Sequence, residues 1–412
     1  MSELASRNLR IGFIGSGFIA NFHLESLVAV RNVDVCGVYS LTKNNREKFS
    51  NRVGALDLGN CTAYDSLEGL INAPDIDAVW ILCPNHQRLD VMRVIHSNIK
   101  DGQSKLTAVA CEKPLARNLA EAKEMLSLVE DSGLLHGYLE NQVFCTPVQR
   151  GKDIIWRRAA AVTGRPYLAR ASEEHSGPHA PWFWKGEQQG GGALSDMMCH
   201  GVEVGRFMLS APDADRSDLK LKSVTATVAN LKWNKPFYAD QLQKKYNLDE
   251  HTRANPVEDF ARGTLIFEDE KGDELIVEAS TSWAYVGAGL RIQLELSGPE
   301  YSMEFNSLNT GLKVFMSREV SGGEGEDLVE KQNAEQGLMP VIEDEAGIYG
   351  YINENRHMVE RFREGKMPSE NFYDGYAVVE MLMALYKSSE ENRTIFLDED
   401  DLSDYIPLVA RV

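Results

Sequence analysis

Residues 9–15, Leu-Arg-Ile-Gly-Phe-Ile-Gly, form an apolar run that stops on a glycine, and Ser16-Gly17-Phe18-Ile19-Ala20 follows at once. The run reads as a buried strand. Ser16 to Val30, with Phe22, Leu24, Leu27 and Val28 on one side, reads as a helix. Gly-x-Gly-x-x-Ala between a strand and a helix is the context that a dinucleotide-binding turn needs. Gly15 allows the tight turn, Gly17 lets a pyrophosphate approach the backbone, and Ala20 lets helix and strand pack closely. No other feature constrains the chain as much, because this unit requires a parallel sheet with helices on its faces.

The same alternation continues downstream. Val33–Tyr39, Ala78–Cys83, Leu106–Cys111 and Leu134–Leu139 read as strands, separated by helical segments at Arg46–Arg52, Leu89–Ser97 and Leu119–Ser132. This predicts an α/β Rossmann domain, a doubly wound parallel sheet, over residues 1–145. After a helical stretch at Pro147–Ala161 the pattern changes. Long strands at Tyr167–Glu173, Leu221–Leu231, Gly263–Phe267, Glu274–Trp283 and Leu290–Ser297 surround one helix at Ala193–Leu209. They predict an α+β domain with a large, mostly antiparallel sheet over residues 146–412. Ser321–Glu330 reads as a solvated acidic loop, and Gly350–Gly365 and Tyr376–Glu390 as helices.

With 412 residues the chain has room for two or three cores. Its 43 Lys and Arg against 62 Asp and Glu give a net charge of -19, which argues against nucleic acid and anionic membranes as partners. The six cysteines are scattered, with no Cys-x-x-Cys pair, as suits a reducing compartment. No signal peptide and no membrane-spanning run is read, so a cytoplasmic location is expected.

Strand ends locate the chemistry. The second strand carries Ser40 where a ribose-binding acid would stand, with Lys43 and Arg46 beyond it; the absence of that acid tilts the expectation from NAD towards NADP. Pro84, Asn85 and His86 follow the third apolar strand and are expected beside the cofactor. Glu112 and Lys113 end the next strand, in Ala110-Cys111-Glu112-Lys113-Pro114-Leu115. A lysine there needs a partner, since an unpaired buried charge is costly. Asn141, beside Glu140 and Gln142, ends the last Rossmann strand and is a candidate substrate contact.

In the second region, Gly190-Gly191-Gly192 precedes a helix bearing Asp196 and His200, four apart and so on one helix face. The glycines are expected to bring the chain close to a ligand. Upstream lies Glu173-Glu174-His175-Ser176-Gly177-Pro178-His179-Ala180-Pro181-Trp182-Phe183-Trp184. His175, His179 and Trp184 suit a sugar pocket, although tryptophans also serve as core. Trp283, Tyr285 and Arg291 lie on sheet strands that either line the same cleft or form the oligomer face. His175, His179, Asp196, His200 and Glu203 follow no zinc spacing, and no metal is expected.

Together, Gly15–Ala20, Pro84-Asn85-His86, Glu112-Lys113-Pro114-Leu115, the glycine run to Asp196 and His200, and Asp374-Gly375 resemble the glucose–fructose oxidoreductase / inositol dehydrogenase (Gfo/Idh/MocA) family. The resemblance implies hydride transfer between NAD(P) and a secondary alcohol of a sugar, glycoside or cyclitol, with Lys113, Asp196 and His200 as catalytic residues. It also implies a homodimer or homotetramer joined through the C-terminal sheet. Two alternatives use the same parts: an NAD-dependent glycosidase working by transient oxidation and elimination, and a non-catalytic dinucleotide-binding regulator.

Overall fold

In the computed structural model, which describes residues 6–212, 214, 218–287, 289–316, 337–342 and 344–411, β1 (Leu9–Ile14) pairs in parallel with both β2 (Val33–Tyr39) and β4 (Ala78–Ile81). With β3 (Thr62–Tyr64), β5 (Ala108–Glu112) and β6 (Leu135–Leu139) they form one sheet of six parallel strands in the order β3-β2-β1-β4-β5-β6. Every residue of β4 and β5 is buried, as continuous apolar strands covered on both faces must be. Helices α1 (Phe18–Leu27), α2 (Lys43–Ala55), α3 (Leu67–Ile71), α4 (Asn85–Lys100) and α5 (Leu119–Ser132) make the crossovers. The ends of α5 are written locally: Asn118 accepts from the Glu121 N–H at 3.0 Å, and Gly133 closes the helix in the left-handed region. The strand order reverses between β1 and β4, which leaves a ligand crevice at their carboxyl ends.

The described residues divide into two compact units. One comprises the chain up to Phe144 together with Gly350–Val379; the other comprises Cys145–Tyr349 and Glu380–Val412. The return of Gly350–Val379 to the first unit departs from the division at residues 145 and 146. Its cause is packing: Trp80 Nε1 on β4 donates to Asn355 Oδ1 at 3.1 Å, and the Trp80 ring meets Phe362 edge-on at 5.9 Å. An amphipathic helix shows that it has a partner face, but not which sheet supplies it.

The second unit holds a seven-stranded sheet in the order β12-β11-β7-β10-β9-β8-β15. Its members are β7 (Leu168–Glu174), β8 (Lys220–Ala229), β9 (Phe260–Glu268), β10 (Glu274–Ser282), β11 (Arg291–Gly298), β12 (Tyr301–Asn306) and β15 (Ile395–Phe396). Only the β7–β10 pairing is parallel, so the sheet is mostly antiparallel. β13 (Leu312–Met316) and β14 (Gly337–Val341) pair separately. β8 stops two residues before the expected Leu231 because the Asp259 carboxylate takes the N–H groups of Leu231, Lys232 and Trp233 at 2.7, 2.8 and 2.7 Å. Helix Cys199–Leu209 lies on one sheet face, where Gly201 comes near Ala171 and Ala279 and Gly205 near Val277. The other face carries Arg170, Ser172, Arg262 and Glu278 around a shallow concavity. Ser321–Glu330 lies outside the described residues.

Candidate active site

Gly15 sits at φ +116°, and a Cβ there would lie 2.8 Å from the Leu82 carbonyl oxygen, so only glycine fits. Its N–H donates to Tyr39 O at 2.9 Å, which fixes the turn between β1 and β2. Gly17 is the opposite case: a Cβ there would meet nothing within 4 Å. It precedes α1, which has no side-chain cap and no acidic residue in its first turn. Uncapped N–H groups and the positive end of the helix dipole suit a phosphate. Ser16 and Ile19 are half-buried and Phe18 is exposed around this open space, so the turn fits a dinucleotide.

At the end of β2, Ser40 is half-buried and Arg46 is buried. The Arg46 guanidinium donates to Ser40 O at 3.2 Å and pairs with Asp65. Lys43 is exposed, with its ammonium 3.7 Å from Glu47. Pro84 ends the β4 turn, and Asn85 (buried) and His86 (half-buried) open α4.

The lysine turn is held from below. Glu112 is buried; its Oε1 lies 2.9 Å from His23 Nε2 and its Oε2 accepts from the Lys113 N–H at 2.9 Å. Burial alone would raise the Glu112 carboxyl, but the His23 bond and the charges of Lys113 and Arg88 hold it below the usual range. The buried Arg88 guanidinium donates to Cys83 O at 3.1 Å, to Glu112 O at 2.6 Å and to Pro114 O. One side chain thus ties the ends of β4 and β5 around Lys113. Asp374-Gly375 belongs to the same support, since a Cβ on Gly375 would come within 2.9 Å of Leu115 Cβ. Asn141 is buried in the turn that follows β6.

In the second unit, Glu173, His175, Asp196 and His200 are all buried. Asp196 Oδ2 accepts from Trp283 Nε1 at 3.2 Å and lies 4.0 Å from His175 Nε2. His200 Nε2 lies 3.7 Å from Glu173 Oε2. His175 Nδ1 accepts from the Gly177 N–H at 2.9 Å, which turns Nε2 towards Asp196. Glu203 pairs with Arg206 at 2.8 Å. His179 is exposed, and Trp184 is buried in a cluster with Trp283, Met197 and Leu248. The helix bearing Asp196 does not begin as a regular α-helix: Leu194–Met198 forms wider π turns, so spacing of four alone does not set the partners of Asp196 and His200.

The glycine run has a different role from the one expected. A Cβ on Gly191 would lie 1.9 Å from the Tyr386 hydroxyl, and one on Gly192 would lie 2.3 Å from Glu258 O. These glycines admit protein. Glu258 Oε1 accepts from the N–H groups of Gly192 and Leu194 at 2.9 and 3.0 Å and from the Tyr386 hydroxyl at 2.6 Å. The Tyr386 oxygen in turn accepts from the N–H groups of Gly192 and Ser195 at 3.0 and 3.2 Å. The pair caps the π turns that carry Asp196. Burial pushes the Glu258 carboxyl up to about 7 despite these bonds.

Sequence reasoning missed Arg88, Glu258, Tyr386 and His23, whose partners are distant in the chain. Glu173 was in view, because it opens the stretch Glu173–Trp184 whose carboxylates and histidines suit a sugar pocket, and it lies near the end of β7.

A six-stranded parallel sheet with a glycine turn of the dinucleotide-binding type, and a second unit built on a mostly antiparallel sheet, define a two-unit protein of the Rossmann class. The family described as "Oxidoreductase family, NAD-binding Rossmann fold" matches residues 9–138, and "GFO/IDH/MocA C-terminal domain" matches residues 158–304. The chain belongs to the Gfo/Idh/MocA family. It is 26% identical over 221 residues to levoglucosan dehydrogenase of Pseudarthrobacter phenanthrenivorans, covering 49% of this chain and 52% of that protein. It is 26% identical over 209 residues to 1,5-anhydro-D-fructose reductase of Ensifer adhaerens, covering 50% of this chain and 58% of that one. The matches thus span little more than half of these relatives. Among solved structures, GenD2 from gentamicin A biosynthesis, in complex with NAD, superposes with a TM-score of 0.74 at 22% identity, covering 95% of this chain and 97% of its own. Levoglucosan dehydrogenase with NADH and levoglucosan gives 0.69 at 21% identity, over 95% and 100% of the two chains.

Proposed function

We propose that the protein is an NAD(P)-dependent oxidoreductase acting on a secondary alcohol or ketone of a sugar, glycoside or cyclitol. The observation that carries this reading is the lysine turn: Lys113 follows directly on β5, the parallel strand next to β4, and is anchored by Glu112 and Arg88. Relatives named as dehydrogenases and reductases of sugar-type alcohols support it.

Gly15, Ser16, Gly17, Phe18 and Ile19 would hold the pyrophosphate at the start of α1, with Ser40 and Lys43 at the ribose and Pro84, Asn85 and His86 towards the nicotinamide. The bound nicotinamide supplies the hydride acceptor or donor. On the first unit, Lys113 bonds the substrate oxygen and stabilises the alkoxide that develops as hydride leaves carbon. On the second, His200 takes the hydroxyl proton, a task suited to an imidazole near neutral pH. Asp196, oriented by Trp283, binds substrate hydroxyls, and His175 and Asn141 add further contacts. NADP is favoured over NAD because Ser40, directly after β2, stands where a ribose-binding acid would, with the exposed, cationic Lys43 beyond it.

The surroundings fit a soluble enzyme of a reducing compartment, which we take to be the cytoplasm. All six cysteines are free thiols, and no helix among the described residues is long and apolar enough to cross a membrane. The sheet face that carries Arg170, Ser172, Arg262 and Glu278 is the surface through which copies of the chain would associate.

Lys113→Met tests the mechanism. Turnover of the best substrate, read as reduced-nicotinamide absorbance, should fall by about 10²–10⁴-fold while cofactor binding persists. Unchanged turnover refutes the assignment.

A further inference from the structure

The second unit holds a half-open cavity of about 360 Å³, lined by Trp184, Trp233, Leu242, Leu248, Glu250 and Arg253. Its volume falls at the lower end of the ~300–1,000 Å³ typical of small-molecule sites. One wall is the segment before the glycine run. The other is an excursion between β8 and β9 that contains helices Pro236–Tyr246 and Glu250–Ala254.

The excursion is anchored to that segment and to the residue that follows β10. Lys185 pairs with Asp249 at 2.7 Å, the Tyr246 hydroxyl donates to Pro178 O at 3.0 Å, and Trp233 Nε1 donates to Trp283 O at 2.7 Å. The cavity thus lies between two walls that are held together on one side by a buried apolar cluster of Trp184, Leu242, Leu248 and Trp283. The anchors also tie it to the substrate residues. Trp233 packs against Gly177, whose N–H binds His175. Trp184 stands edge-on to Trp233 and Trp283, with centroids 5.5 and 5.2 Å apart, and Trp283 holds Asp196.

Two features describe the occupant. Trp184 is only 4% exposed, yet its indole N–H finds no acceptor among the described residues. A buried donor left unpaired is costly, so a ligand oxygen here would be favoured. At the rim, Glu250 and Arg253 carry opposite charges, which suits a neutral, hydroxyl-rich molecule better than an ion. Indole faces and edges with a few polar groups match the apolar C–H faces and hydroxyls of a pyranose.

We propose that this cavity is a second sugar-ring subsite, holding the distal ring of a two-ring glycoside whose reacting ring lies at His175, Asp196 and His200. The assignment of the reacting ring rests on the function proposed above; the cavity itself does not.

The test is calorimetric titration of the cofactor-loaded protein with methyl glucoside, maltose and cellobiose, with nicotinamide absorbance followed in parallel. One disaccharide should bind at least ten-fold more tightly than methyl glucoside. Ala239→Phe fills the cavity from a half-buried helical position and should abolish that advantage while leaving methyl glucoside binding and turnover unchanged. Arg253→Ala, at an exposed rim position, should reduce the advantage about three-fold. Equal affinities for one-ring and two-ring sugars, or an advantage that survives Ala239→Phe, would overturn the subsite. Tight disaccharide binding that Ala239→Phe abolishes, with no absorbance change for any sugar, upholds the subsite and overturns the dehydrogenase reading. Turnover of methyl glucoside with no disaccharide advantage does the reverse.

Discussion

Two glycine segments with similar spelling do opposite work. At Gly15–Ala20, Gly17 faces open space beside an uncapped helix, as a ligand cradle should. At Gly190–Gly192, Gly191 and Gly192 admit Tyr386 and Glu258, and the product is an anchored helix start below Asp196. In the proposed site the first glycine pattern would serve the ligand directly. The second fixes a helix start that carries Asp196, one of the proposed substrate groups. A glycine run therefore signals close approach without saying what approaches.

Alanine at one position of each segment should separate the two roles. Gly191→Ala puts a methyl group on the Tyr386 hydroxyl at φ +153° and should cost about 3 kcal/mol or more of stability, read by urea unfolding. A loss below about 1 kcal/mol would mean that the tyrosine moves aside easily. Glu258→Gln sharpens the same half of the comparison. The folded-state carboxyl of Glu258 is pushed up to about 7 from 4.5. Between those values the folded protein holds a proton that the unfolded chain has released, so stability falls as pH rises through that window and then levels off. The difference corresponds to about 3 kcal/mol, and the Gln variant should lose this slope in melts run from pH 4.5 to pH 7.5. An unchanged slope would place the titration elsewhere.

Gly17→Ala should leave stability within about 0.5 kcal/mol, because its Cβ has room, while cofactor affinity falls about ten-fold as the methyl group enters the phosphate approach. Equal losses in both quantities would erase the contrast. The smallest effect concerns the ribose end of the same crevice. Ser40→Asp should shift preference from NADP towards NAD by several-fold, about 1 kcal/mol, through repulsion of a 2′-phosphate. Comparing kcat/KM for the two cofactors decides it.

The legible parts of this molecule were those written locally. The strand–Gly15–helix unit, the buried runs at Ala78–Ile81 and Ala108–Cys111, and the placement of Lys113 at a strand end all follow from periodicity and turn chemistry, which act over a few residues. The sequence also brought His175, Asp196 and His200 into view, because titratable groups near a glycine run are conspicuous. It did not pair them. The π turns at Leu194–Met198 displaced the simple four-residue spacing, and Trp283, 87 positions from Asp196, became its hydrogen-bond donor. Arg88, Glu258 and Tyr386 were invisible for the same reason. A buried arginine binding three carbonyl oxygens and a carboxylate capping a distant helix look, in one dimension, like ordinary charged residues. Local sequence determined which elements form and where their ends fall. Tertiary structure decided which buried polar groups meet, because each must find its partner wherever the folded chain brings one within about 3 Å.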